Sequence, residues 1–122
     1  MLNDRILSQS SVRSQNSAPK EPMNQPGIGS EKVRAHVFIS GRVQGVGYRF
    51  SAQDMALLLK VNGWVRNLRD GRVEAVFEAS REKVDEMLQW CRKGPPAAQV
   101  TDIQVSYEPP EGINGFEMIR SR

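Results

Sequence analysis

The stretch VRAHVFISGRVQGVGYRFSAQDMALLL, residues 33–59, changes its hydrophobic period part-way along. Val33, Ala35, Val37 and Ile39 alternate with Arg34, His36 and Phe38, the period of two that sends successive side chains to opposite faces of a strand. Beyond a glycine-rich turn, Ala52, Met55, Ala56 and Leu59 recur at i, i+3, i+4 and i+7 and share one helical face. A strand therefore feeds directly into an amphipathic helix, which Asn62-Gly63 is expected to end.

The rest of the chain extends this pattern. Trp64 to Leu68 and Arg72 to Ala79 read as two strands around Arg69-Asp70-Gly71, a hairpin turn signal. Ser80 fits the N-cap of a second helix, with Glu82 in its first turn and Val84, Met87, Leu88 and Cys91 as its apolar stripe. Gly94-Pro95-Pro96 stops that helix. Ile103, Val105 and Tyr107 alternate in another strand, and Phe116 to Ile119 suit a short last one. The order βαββαβ, plus a short extra C-terminal strand, predicts an α+β ferredoxin-like sandwich with two helices on one face of an antiparallel sheet.

Ahead of this domain the composition differs. Residues 1–32 are rich in Ser, Gln, Asn and Pro and contain no aromatic residue, so they bury too little apolar surface to offset ordering. The expected organisation is a disordered tail over 1–32 and one domain over 33–122. Arg5 and Arg13 among serines also suit a transit peptide, but Asp4, Glu21 and the lack of an amphipathic pattern favour the plain tail.

Composition bounds the function only loosely. With 39% hydrophobic and 25% charged residues among 122, the chain is of the globular class. A net charge of +3 is too small to imply a nucleic-acid partner, though it suits a small anion. One cysteine, Cys91, excludes an intrachain disulfide and a metal site built on cysteine pairs. No apolar run reaches the roughly 18 residues of a membrane span. A cytoplasmic monomer without metal, cofactor, membrane or nucleic acid is expected.

The loop Gly41-Arg42-Val43-Gln44-Gly45-Val46-Gly47-Tyr48-Arg49 carries the chemistry. Its glycines permit the positive-φ backbone that lets amides converge on one point. A helix N-terminus adds free N–H groups, and Arg49 offers a planar clamp for phosphate oxygens. The same features fit a glycine-rich turn followed by a surface arginine, and on spacing alone the two readings stand level. A P-loop is excluded because GxxxxGK[ST] is absent, and no parallel βαβ unit surrounds it as a dinucleotide site requires.

Ile39 to Arg49 resembles the first signature of the acylphosphatase family, and Gly63-Trp64-Val65-Arg66-Asn67-Leu68-Arg69-Asp70-Gly71-Arg72-Val73 resembles the second. The resemblance covers about residues 33–120, including Gly94-Pro95-Pro96 and Gly115-Phe116-Glu117. The second signature usually ends in glycine, where this chain has Ala79, a departure that touches packing more than activity. The resemblance implies hydrolysis of acyl phosphates to carboxylate and inorganic phosphate without a metal. Arg49 would bind the phosphate together with the backbone N–H groups of Gln44, Gly45, Val46, Gly47, Tyr48 and Arg49, and Asn67 would position the attacking water. A carboxylate leaves readily, so catalysis rests on positioning and on stabilising phosphoryl charge.

Without the signature, Asn67 is an ordinary residue before a hairpin. His36, the one histidine, reads as a strand residue, Cys91 as a buried thiol, and Glu74, Glu78, Asp54 and Asp70 as solvated charges. Trp64 and Tyr48 flank the loop, with Tyr48 a candidate for shaping the pocket. Two rivals remain. One is a non-catalytic phosphate- or acyl-phosphate-binding module, as at one end of larger carbamoyl-transfer proteins of hydrogenase maturation, although this chain ends soon after the domain. The other is an RNA-binding domain of the same fold, but the central strand lacks the Gly-Phe/Tyr-Gly-Phe run that stacks bases.

Overall fold

A computed structural model describes residues 28–122; residues 1–27, the bulk of the expected tail, lie outside the described residues. A 3-10 turn, Ile28–Ser30, precedes strand β1, Lys32–Arg42. Helix α1, Tyr48–Leu59, strands β2, Asn62–Asn67, and β3, Val73–Ser80, helix α2, Arg81–Lys93, and strands β4, Gln99–Glu108, and β5, Phe116–Met118, follow. The carbonyl of Glu31, just before Val33, accepts a backbone hydrogen bond from Arg81 at 2.9 Å.

The five strands lie in the order β4-β1-β3-β2-β5. Pairing is antiparallel except at one edge, where β5 runs parallel to β2 with Gly63 opposite Phe116 and Val65 opposite Met118. The sheet is mixed, not wholly antiparallel, because the chain leaves β4 at one edge and returns along the far edge in the direction of β2.

The alternation in β1 is faithful to its sequence. Ala35, Val37 and Ile39 are fully buried toward the helices, joined by Val65 of β2 and Val73, Ala75, Phe77 and Ala79 of β3. Ala79 packs as part of this core, so the methyl in place of the usual glycine is accommodated. Ala52 and Ala56 bring α1 close to the sheet, while Val84, Met87, Leu88 and Cys91 seat α2. Burying one such Val or Phe stabilises by roughly 1.5–3 kcal/mol. The Ser80 hydroxyl caps α2 by accepting from the Lys83 N–H at 3.3 Å. Helix α1 ends at Leu59, earlier than Asn62-Gly63 suggested. Lys60 takes the left-handed conformation, and Val61 N–H returns to the Ala56 carbonyl at 2.8 Å, so Asn62 is free to start β2.

Among the described residues no helix covers the opposite face of the sheet, and charges line it instead. Glu74 and Glu78, expected as solvated charges, are 6% and 4% exposed. Glu74 accepts from Arg66 Nε at 2.7 Å and meets His36 Nε2 at 2.6 Å. His36 Nδ1 lies 3.1 Å from Glu108. Glu78 accepts from Arg34 at 2.6 Å and from the backbone N–H groups of Glu111, Gly112 and Ile113, which fastens the connection to β5. Trp64 belongs to this face, with Arg66 stacked 5.0 Å above its ring, and does not flank the loop.

Burial raises the carboxyl pKa of Glu74 and Glu78, but their hydrogen bonds outweigh it. Arg66 and His36 act on Glu74, while Arg34 and the three backbone N–H groups act on Glu78, and both end below the ordinary 4.5. A folded pKa below the unfolded one gives stability that is complete above the unfolded value and lost as pH falls through the folded one. The urea midpoint is therefore expected to decline as pH drops below 4.5. The decline should be shallower in Glu78→Gln, and profiles of equal slope would refute the assignment to Glu78.

Candidate active site

Between β1 and α1 the chain runs through Val43–Gly47 with no regular structure. Gly45 and Gly47 sit at φ +75° and +80°, a region L side chains seldom adopt, and Gly47 is the N-cap of α1. Among the described residues, no backbone carbonyl accepts from the N–H groups of Gln44, Gly45, Val46, Gly47, Tyr48 or Arg49. The first amide of this region that is paired is Ser51, which donates to Gly47 at 3.0 Å. With Phe50, which is likewise without an acceptor there, seven consecutive donors thus gather at a helix N-terminus, where the dipole favours an anion.

Beside them lies a cavity of about 190 Å³ lined by Val43, Gln44, Gly45, Gly47, Tyr48, Arg49, Phe50 and Asn67. This is smaller than the ~300 Å³ at which sites for drug-sized ligands begin, so it suits a compact substrate. Val46, expected among the loop's binding groups, does not line it. Arg49, half-buried in the first turn of α1, has no carboxylate partner among the described residues, unlike Arg34, Arg66 and Arg72. Its charge is free to meet a ligand.

Asn67 ends β2 on the same face as Val65, so it points toward the loop side of the sheet. Its Oδ1 is buried with no hydrogen-bond donor among the described residues. A buried amide oxygen without a donor is costly, by about 1–3 kcal/mol, which sets Asn67 apart from the satisfied polar side chains around it. The backbone of Asn67 is secured separately: Val73 pairs with it across the hairpin, and Arg122 N–H donates to its carbonyl at 2.9 Å.

Two side chains of the loop turn away from the cavity. The Gln44 amide donates to the carbonyls of Leu68 at 2.7 Å and Arg72 at 2.8 Å, across on the β2–β3 hairpin. Tyr48 is 2% exposed, and its hydroxyl donates to the Cys91 carbonyl at 2.7 Å. The usual partner of that carbonyl is the N–H four residues on, but residue 95 is proline and has none. Tyr48 replaces it, so its contribution to the cavity is ring and backbone, while its hydroxyl is committed elsewhere. Burial drives the Tyr48 phenol far above its ordinary range and pushes the Cys91 thiol up to about 12, which removes both as proton donors or nucleophiles near neutrality. His36 and the acidic residues of the open face are absent from the cavity lining. Among the described residues, no cluster of three or more His, Cys, Asp or Glu is arranged to hold a metal, and no helix is long and apolar enough to cross a membrane.

The structure places Gln44, Gly45, Gly47, Tyr48, Arg49 and Asn67 around one cavity and adds Phe50, 62% exposed, which the sequence did not single out. Its position directly after Arg49 was the available signal.

The acylphosphatase family model matches residues 35–118. The acylphosphatase of Trichormus variabilis is 60% identical over 91 residues, which span 75% of this chain and 90% of that protein. The crystal structure of acylphosphatase from Bacillus subtilis superposes with a TM-score of 0.70 at 35% identity, covering 71% of this chain and 98% of that one. Full-length HypF, in its phosphate- and nucleotide-bound form, matches with a TM-score of 0.69 over 12% of its length. At 20% identity that likeness concerns the fold alone.

Tyr48→Phe tests the bond that stands in for the missing proline N–H. It leaves the Cys91 carbonyl without a donor, so a loss of about 1–3 kcal/mol in urea-derived stability is expected. An unchanged midpoint would mean that the bond contributes nothing.

Proposed function

The chain belongs to the acylphosphatase family and is a hydrolase of acyl phosphates, and we propose that Arg49 and Asn67 carry its reaction without a metal. The supporting observation is the meeting, around one small cavity, of a guanidinium and a run of loop amides that have no partner among the described residues with the side chain of Asn67.

The phosphoryl oxygens are bound by the N–H groups of Gln44, Gly45, Gly47, Tyr48 and Arg49, whose residues line the cavity, and by the Arg49 guanidinium. Asn67 Oδ1 accepts a hydrogen bond from water, which turns a lone pair of that water toward phosphorus. The water oxygen bonds to phosphorus as the bond to the carboxyl oxygen breaks. The carboxylate leaves with the bonding electrons, and a proton of the water passes to a phosphoryl oxygen, because no cavity side chain is a base at neutral pH. Charge spreads over the phosphoryl oxygens in such a transition state, which is where fixed donors act.

Turnover of benzoyl phosphate in the presence of EDTA is the test. Asn67→Ala is expected to lower kcat by about 10²–10³, as loss of one preorganised polar group does elsewhere. Arg49→Ala should lower it by about 10³ or more, with both variants folded. A well-folded wild type without turnover would overturn the catalytic reading in favour of a binding module, and activity lost only to EDTA would overturn metal independence.

Action as a monomer, in a cytoplasmic setting free of nucleic acid, is part of the same proposal. The catalytic unit proposed is the domain over 33–122, with the 3-10 turn and Glu31 packed against α2. Deleting residues 1–27 is expected to leave kcat within about twofold. A fall of tenfold or more would give that segment a catalytic part.

A further inference from the structure

The phosphate loop and Asn67 lie 18 residues or more apart in sequence and on different elements, yet the reaction requires their separation to be fixed. Reacting atoms must be held about 3–3.5 Å apart, and an error near 1 Å costs about 10²-fold in rate. The side chain of Asn67 makes no hydrogen bond to any described residue, so its placement is inherited from the backbone around it. That backbone is tied to β3 through Val73 and to the C-terminal segment through Arg122, neither of which belongs to the phosphate loop.

Gln44 supplies the tie to the loop. Its Nε2 carries two hydrogens, and both are used: one on the carbonyl of Leu68, the residue next to Asn67, and one on the carbonyl of Arg72. These two residues close the base of the hairpin, since Leu68 N–H donates to the Arg72 carbonyl at 2.9 Å and Gly71 N–H to the Leu68 carbonyl at 3.1 Å. A single carboxamide in the phosphate loop therefore grips the hairpin immediately beyond Asn67. Two acceptors facing one group demand two donors, so neither Glu nor an apolar residue substitutes for it.

We propose that the Gln44 side chain is a positioning residue, setting the distance between the phosphoryl group on the loop and the water on Asn67. This rests on the assignment of Arg49 and Asn67 above. The Gln44 backbone N–H serves the phosphate, while its side chain serves the geometry.

The test is Gln44→Met, which keeps the length of the side chain and removes both donors, with Gln44→Asn, which keeps the donors on a stem one methylene too short, as a second variant if Met impairs folding. Benzoyl phosphate turnover and inhibition by inorganic phosphate are measured on each, with circular dichroism as the folding check. The expected result is a fall in kcat of about 10–100-fold with the phosphate inhibition constant within about threefold of wild type, because the loop amides and Arg49 remain. An unchanged kcat overturns the inference while leaving the assignment of Arg49 and Asn67 intact. A phosphate constant that weakens in step with kcat also overturns it, since Gln44 would then shape the loop itself. A fully active Asn67→Ala, measured in parallel, would bring down the assignment and this inference together.

Discussion

A backbone segment that offers its N–H groups to a ligand cannot use them to hold itself in place. The loop from Val43 to Gly47 is under that constraint, and the surrounding structure answers it with side chains that reach outward. Gln44 grips the β2–β3 hairpin, and Tyr48 reaches through the core to the last turn of α2. Each fills a need of the backbone it meets, most clearly where Pro95 has left the Cys91 carbonyl without a donor. The loop is fixed from both sides while its own donors stay available.

Electrostatics divide along the sheet in a matching way. On the open face, Arg34, Arg66 and His36 are engaged by Glu74, Glu78 and Glu108, and Arg72 is held by Asp70 in the turn. The cavity on the other side contains no carboxylate, so Arg49 meets no competing anion. Acid should consequently act on the fold, through the buried carboxylates, before it acts on any side chain of the cavity.

Periodicity made most of this architecture readable in the sequence. The alternation at Val33–Ile39 and the stripes at Ala52–Leu59 and Val84–Cys91 named the buried faces correctly, and the two signatures singled out the loop, Arg49 and Asn67 that line one cavity. What escaped notice depended on contacts between distant residues. Period two places Glu74 and Glu78 opposite the helices, which reads as solvent, but it is silent on Arg34, Arg66 and the turn at 111–113 closing over them. The parallel edge of β5 follows from the path of the chain after β4, which local pattern does not encode. The bonds of the Tyr48 hydroxyl and the Gln44 carboxamide were hidden because sequence shows a residue's neighbours along the chain, not the carbonyl its side chain will find. Lys60 ended α1 early because a left-handed cap can form without glycine.

The unpaired amides of the loop also set what side-chain mutagenesis is able to see. A binding group that belongs to the main chain survives every change at its own position except proline, which lacks the N–H. Alanine scanning across Gln44 to Tyr48 would therefore register the supports, Gln44 and Tyr48, and the backbone strain of a side chain at Gly45 and Gly47, and pass over the donors themselves. The loop would look less important than it is. Only chemistry that edits the backbone, such as exchange of an amide for an ester, addresses those groups one at a time.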